Sequence, residues 1–330
     1  MSPIADTEVI RAFVGQRILP QPERVTDFLG ICTRVSTIAS IAHLAGTVEP
    51  PPIPANFHAS QLEWAGALRA ALQTQPRFVA IELGAGWCPW LVVGAVAAER
   101  CGAEEFDLCG VEACREHVEF AKQHFQDNPL PRAHIELMHG VAGVRDGFED
   151  FPEIDDPARN WGAAAIIAGS DNHQGVLARY SGLRRFSRMA RTGTGKLLRR
   201  LTGGSSVTRL RSYALATLVE RAASVDMLHV DIQGHEFDVI SAALTTVCQR
   251  VKRMVIGTHS EGISQHLRDL LGLHDWCLEA EEACTVHRSR GKECLVLDGC
   301  QVWRNSRLLS PLQASDLLKV DQHVARRSAS

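Results

Sequence analysis

The chain has 330 residues, enough for one large domain with an appendage. Hydrophobic residues make up 45% and the formal net charge is −3, a globular composition that excludes a global nucleic-acid signal, so no nucleic-acid partner is expected. Apolar stretches break off well short of bilayer-spanning length, and residues 1–8 show no basic segment followed by a hydrophobic one, so a cytoplasmic protein is expected.

Residues 1–75 read as a helical N-terminal cap. Apolar residues recur at helical spacing over 35–44 and 60–72. Between them, Glu49-Pro50-Pro51-Pro52-Ile53-Pro54 can be neither helix nor central strand and reads as a rigid extended connector. From Arg77 the pattern turns to strand, helix, strand, helix: strands at 79–83, 106–112 and 134–141, with helices at 90–101 and 115–126. After a break come a strand at 225–232, a helix at 236–247, a strand at 253–257 and a helix at 263–271. Two last strands, 276–286 and 294–303, are joined by the polar turn 287–292 and would add an antiparallel strand at the sheet edge. This alternation predicts a Rossmann-like, doubly wound, mostly parallel α/β sheet over 76–310, with a tail at 311–330.

The segment 142–224 interrupts the rhythm before the fourth strand and reads as a substrate-side insertion, basic at 179–211. No Asp or Glu stands between Asp171 and Glu220, whereas Arg184, Arg185, Arg188, Arg191, Lys196, Arg199 and Arg200 do. A solvated loop accounts for such a run. Leu197, Leu198 and Leu201 interleave with the charges, so 183–205 is also a candidate for peripheral membrane contact or for an anionic substrate. The chain has ten cysteines without a CxxC pair or a metal-ligand spacing, consistent with reduced thiols.

Three strand ends carry chemistry. The first is Glu82-Leu83-Gly84-Ala85-Gly86, an apolar strand that ends in an acid and two glycines, where backbone can approach a ligand. The next strand ends at Glu112, about 26 residues after Gly86, which suits a carboxylate accepting both hydroxyls of a ribose. A dinucleotide site wants a third glycine, but Pro89 stands there, and Trp87 and Glu82 are unhelpful to a diphosphate. A carboxylate at this strand end suits a cationic cofactor better. The second is Val230-Asp231-Ile232-Gln233-Gly234-His235-Glu236, and the third is Gly257-Thr258-His259. Both bring polar groups to the crevice beyond the sheet.

These runs, with Val111-Glu112-Ala113, resemble FkbM-type methyltransferases over about 77–145 and 215–305. The family often reads Lys-x-Asp-x-Glu-Gly and Glu-x-His where this chain has His229, Gln233 and Gly257. The resemblance implies a class I fold and S-adenosylmethionine as cofactor. It also implies O-methylation of a hydroxyl on a sugar, glycolipid or natural product. Glu82, Gly84 and Gly86 would flank the methionine part, Glu112 and Ala113 the ribose and adenine edge, and Val141 the adenine. Asp231 and Gln233 would lie near the sulfonium and the acceptor. His259 is a candidate general base, near its ordinary pKa of about 6.5, with Asp231 orienting it or the acceptor, and the reverse assignment stands beside it. A divalent metal on Asp231, His235 and His259 is a further option. The rival functions are an NAD-dependent oxidoreductase and a non-catalytic interaction module.

Overall fold

The computed structural model describes residues 4–15, 18–74, 76–166, 207–289 and 292–320. The basic stretch 183–205, and with it the expected membrane contact, lies outside the described residues.

The N-terminal region holds α1 (Asp6–Ala12), β1 (Arg24–Thr26), β2 (Cys32–Arg34), a 3-10 turn (Ala39–Leu44), β3 (Thr47–Val48) and α2 (Gln61–Leu72). It is therefore not the helical cap expected from its apolar spacing. The three strands pair in the order β2-β1-β3, and the expected helix over 35–44 shrinks to the 3-10 turn. Long-range pairing is the reason. The Cys32 N–H donates to Asn128 Oδ1 (2.8 Å), and Asn128 Nδ2 donates back to the Cys32 carbonyl (2.9 Å), which holds that segment extended.

The main domain opens with β4 (Arg77–Leu83), α3 (Pro89–Arg100), β5 (Glu105–Glu112), α4 (Arg115–Asp127) and β6 (Ala133–His139). The expected insertion begins as β7 (Val141–Gly143) and β8 (Gly147–Pro152) and returns as β9 (Val207–Ala214). These three strands form a separate small sheet in the order β7-β9-β8. Then come α5 (Leu215–Glu220), β10 (Met227–Val230), α6 (Glu236–Ala242), α7 (Leu244–Arg250), β11 (Arg253–Thr258) and α8 (Glu261–Gly272). The single helix expected over 236–247 is thus two short ones. The chain closes with β12 (Trp276–Glu282), β13 (Thr285–Ser289), β14 (Lys292–Leu297) and β15 (Gly299–Asn305). The expected terminal hairpin is real but interrupted. β12 and β15 pair in the main sheet, and β13–β14 form their own ribbon between them. Part of the expected tail also packs back: Val320 is buried, and Lys319 Nζ donates to the Leu72 carbonyl at 3.2 Å.

The central sheet has seven strands in the order β12-β15-β11-β10-β4-β5-β6. The strands from β11 to β6 pair in parallel, and β15 runs antiparallel to both of its neighbours. This is the mostly parallel seven-stranded sheet of the class I methyltransferase fold, as the resemblance implied. One face is covered by α2 and α3, whose Trp64, Leu68, Leu72 and Leu91 join one apolar cluster with Phe78 of β4. The other is covered through Leu83, Val230, Ile240, Ile256 and Leu267. Among the described residues no helix is long and apolar enough to cross a membrane. The chain runs outward from β4 to β6 and then crosses back to β10 on the other side of β4. That reversal leaves a crevice beyond the carboxyl ends of β4 and β10.

Candidate functional site

A cavity of about 690 Å³ opens at this reversal, within the ~300–1,000 Å³ range of small-molecule sites. Glu82, Gly84, Gly86, Glu112, Ala113, Val141, Asp231 and Gln233 all line it. His259 does not. The small sheet adds Ala142 and Phe151, and the segment after it adds Trp161. The N-terminal region closes the far end with Asn56, His58 and Glu63.

The turn after β4 is built by close backbone approach. Gly84 has φ +70°, and a Cβ there would collide with the Asp231 carbonyl oxygen. The Gly84 and Ala85 N–H groups both donate to the Val111 carbonyl (3.0 Å each), and the Asp231 N–H donates to the Leu83 carbonyl (2.9 Å). The three strand ends are therefore locked to one another by main-chain bonds before any ligand enters.

Glu82 points beneath this turn. Its carboxylate accepts the N–H of Leu91 (2.9 Å) and, at 3.4 Å, that of Trp90, in the first turn of α3. Helix N-termini leave such amides unpaired, and here the Glu82 carboxyl takes up two of them. Burial pushes the Glu82 carboxyl up to about 8, against the lowering influence of His229 and the two amides. Glu82 was expected as a free carboxylate for a cationic ligand, but it is engaged by the amides of α3.

Glu112 holds the other side. One oxygen accepts the Gly86 N–H (2.8 Å) and the other accepts the Cys114 N–H (2.7 Å). A carboxylate has about four acceptor positions, so further capacity remains for a diol. His117 Nδ1 lies 3.5 Å from Glu112, and its ring stacks on Trp161 at 4.0 Å between centroids and 7° between planes. Burial works against the His117 charge, but Cys114 and Glu112 outweigh it and raise the imidazole to about 10. The stacked pair forms an aromatic wall beside Glu112 and Gly86. Ala113 contributes backbone, its carbonyl 3.0 Å from His139 Nε2, and Val141 is a buried apolar lining residue.

At the end of β10, Gln233 adopts φ +56° and its Nε2 donates to Asp231 Oδ1 at 3.0 Å. His259 Nε2 is 3.3 Å from the same oxygen, and its Nδ1 is 3.0 Å from Glu236 Oε1. Burial opposes a charge on His259, yet Glu236 and Asp231 together hold its imidazole well above the ordinary range. The expectation of His259 as a free base near pH 6.5 is corrected on both counts. It sits behind Asp231, and the neighbouring carboxylates favour its charged form. Asp231 faces the cavity and His259 backs it, the reverse of the first assignment. His235 also leaves the expected metal set, because its Nε2 lies 2.9 Å from the Ala165 carbonyl.

Sequence reasoning missed the N-terminal contribution. His229 was noted only as a departure from the family pattern. It is 2% exposed, with Nε2 2.9 Å from Glu63 Oε1, and stacks on Trp90. The available signal was Glu63 itself, the one acid in the helix Gln61–Leu72. His58 also stacks on Trp90, at 4.6 Å, and burial drives its imidazole down to about 3.

No protein-family model matches the chain. Among solved structures it is similar to precorrin-6y C5,15-methyltransferase from Geobacter metallireducens GS-15 (10% identity, TM-score 0.36, 74% of this chain and 88% of that one). It is also similar to methyltransferase FkbM from Methylobacillus flagellatus KT (9% identity, TM-score 0.39, 70% of this chain and 45% of that one). Such distant overlays add nothing to the strand order described above. A relative from Jannaschia sp. (strain CCS1), provisionally named a methyltransferase, is much nearer: 31% identical over 304 residues, covering 92% of this chain and all of the relative. At that identity over that length, the chain belongs to the same family as this relative, a family of methyltransferases.

Proposed function

We propose that this chain is an S-adenosylmethionine-dependent O-methyltransferase of the FkbM type, acting on a hydroxyl of a small molecule such as a sugar, a glycolipid or a natural product. The observation that carries the cofactor choice is the first turn of α3. A dinucleotide would set its diphosphate on those amides, and Glu82 already occupies two of them. The position of the missing third glycine is Pro89, the first residue of the helix. An uncharged nucleoside end with a cationic sulfonium needs no anion site there, and it meets carboxylates instead. In this reading the turn Gly84–Gly86 takes the methionine part, Glu112 the ribose hydroxyls, and Ala113 and Val141 the adenine. Asp231 and Gln233 stand at the reacting end, and Asn56, His58, Glu63 and His229 shape the acceptor end.

Methyl transfer is an in-line displacement, so the protein must align the acceptor oxygen with the S–CH3 bond and exclude water. Asp231 is the lining group placed to accept the hydroxyl proton, and Gln233 and His259 fix its carboxylate. The cofactor supplies the electrophilic methyl group. The test is transfer of an isotope-labelled methyl group from S-adenosylmethionine to a panel of polyhydroxylated small molecules, with products identified by carbon NMR. An O-methyl product is expected. Asp231→Asn should lower turnover by about 10²–10⁴-fold, the usual range for a proton-transfer group. An N- or C-methyl product, or unchanged turnover in that variant, would contradict the proposal. Cofactor binding without any turnover would favour the interaction module.

A further inference from the structure

We propose that Asp231, His259 and Asp298 form a divalent-cation site at the reacting end of the cavity, with Glu236 as the outer carboxylate that orients the histidine. The three groups come from separate places. Asp231 follows β10, His259 follows β11, and Asp298 precedes β15. They converge on one ring nitrogen: His259 Nε2 lies 3.3 Å from Asp231 Oδ1 and 3.6 Å from Asp298 Oδ1. Donors about 2.0–2.2 Å from one ion lie roughly 3–3.6 Å apart in octahedral or tetrahedral sets. Asp231 and Asp298 line the cavity, so remaining coordination positions would face a ligand.

The second ring nitrogen supports the assignment independently. His259 Nδ1 is 3.0 Å from Glu236 Oε1, and Glu236 is fully buried. That oxygen is itself fixed by the N–H groups of Ile232 and Gly234, each at 3.0 Å. A carboxylate behind a metal-bound histidine sets the tautomer and ring orientation in this way. The polar atoms here are also poorly satisfied. The His259 side chain is 7% exposed, and neither ring nitrogen makes an aligned hydrogen bond with the nearby carboxylates. The second oxygen of Glu236 is buried without a hydrogen-bond partner. Buried polar atoms rarely stay so. Asp231, Glu236 and His259 each present a donor atom within 4.8 Å of the others. An ion in place of the Nε2 proton would satisfy Nε2 together with the oxygens of Asp231 and Asp298 that face it. Mixed imidazole and carboxylate donors suit Mn²⁺, Mg²⁺ or Zn²⁺.

Binding of the ion does not depend on the proposed methyl transfer, whereas its use does. Beside the acceptor, a divalent ion would act as a Lewis acid that lowers the pKa of a hydroxyl. Chelator-treated full-length protein should be titrated with Mn²⁺ alone and, in parallel, with S-adenosylmethionine alone. One Mn²⁺ per chain is expected, with affinity at least tenfold lower in Asp298→Asn and about 10–100-fold lower in Glu236→Gln. Asp298 is half-exposed, so its variant should fold, which an unchanged thermal midpoint in the absence of metal would verify. No saturable Mn²⁺ binding, or equal affinity in Asp298→Asn, would overturn the site and leave an ion-paired cluster. Mn²⁺ binding without S-adenosylmethionine binding would keep the metal site and overturn the cofactor proposal instead.

Discussion

Gly84 carries the heaviest constraint of any single residue in the site. Its left-handed backbone is one that side chains rarely adopt, and the Asp231 carbonyl fills the place of a Cβ. Gly84→Ala must push β4 and β10 apart where they share the cavity wall. We expect it to lower the unfolding free energy by about 1–3 kcal/mol or more, read as the urea midpoint, and to blunt cofactor binding. A midpoint equal to that of the parent protein would contradict the described packing. The need for glycine here was legible in the sequence, because an apolar strand that breaks into Gly-x-Gly marks backbone held where a Cβ does not fit. The role of Glu82 was not. Its amide partners lie eight and nine residues further on, in α3. Nothing in the local run distinguishes an acid that caps a helix from one that faces a ligand. His259 misled for a related reason: two carboxylates that surround it, Glu236 and Asp231, lie 23 and 28 residues away in sequence.

At the scale of elements, the N-terminal sheet is fastened to the main domain by the Cys32–Asn128 pair and by one carboxylate. Asp127, at the end of α4, accepts from Arg34 Nε (2.6 Å) and Nη2 (3.0 Å) and from Arg24 Nη2 (2.9 Å). Arg34 first and Arg24 second hold the Asp127 carboxyl down at about 2, against its partial burial. The folded pKa lies below the unfolded one. The stabilisation is therefore complete above about pH 4 and is lost as pH falls towards about 2. Asp127→Asn should cost about 1–2 kcal/mol at neutral pH, after allowance for the partly exposed arginines, and the difference should shrink as the medium is acidified. Urea unfolding across that range checks it, and a gap independent of pH would be inconsistent with this role. The parallel strands and their helices were legible because hydrophobic periodicity and strand-end acids recur through 77–141 and 225–272. The sheet β2-β1-β3 was not legible. It pairs short three- and two-residue segments whose partners lie in α4, and a spacing rule reads only neighbours.

Over the whole molecule, the site is a junction of three parts. The main sheet supplies the glycine turn, the small sheet β7-β9-β8 supplies an apolar flank, and the N-terminal region supplies Asn56, His58 and Glu63. Each part alone offers an incomplete wall, and the strand-end side was easier to locate from sequence than the side closed by the N-terminal region. The strand-end side comes from strands that neighbour one another in the sheet, whereas Glu63 and His229 stand 166 residues apart. On the proposed function, this junction binds S-adenosylmethionine through Glu112. Calorimetric titration of the purified chain measures this binding. One site per chain is expected, with affinity at least about tenfold lower in Glu112→Ala, the equivalent of losing a charge-assisted hydrogen bond. Absence of saturable binding, or an affinity unchanged in Glu112→Ala, would contradict the account.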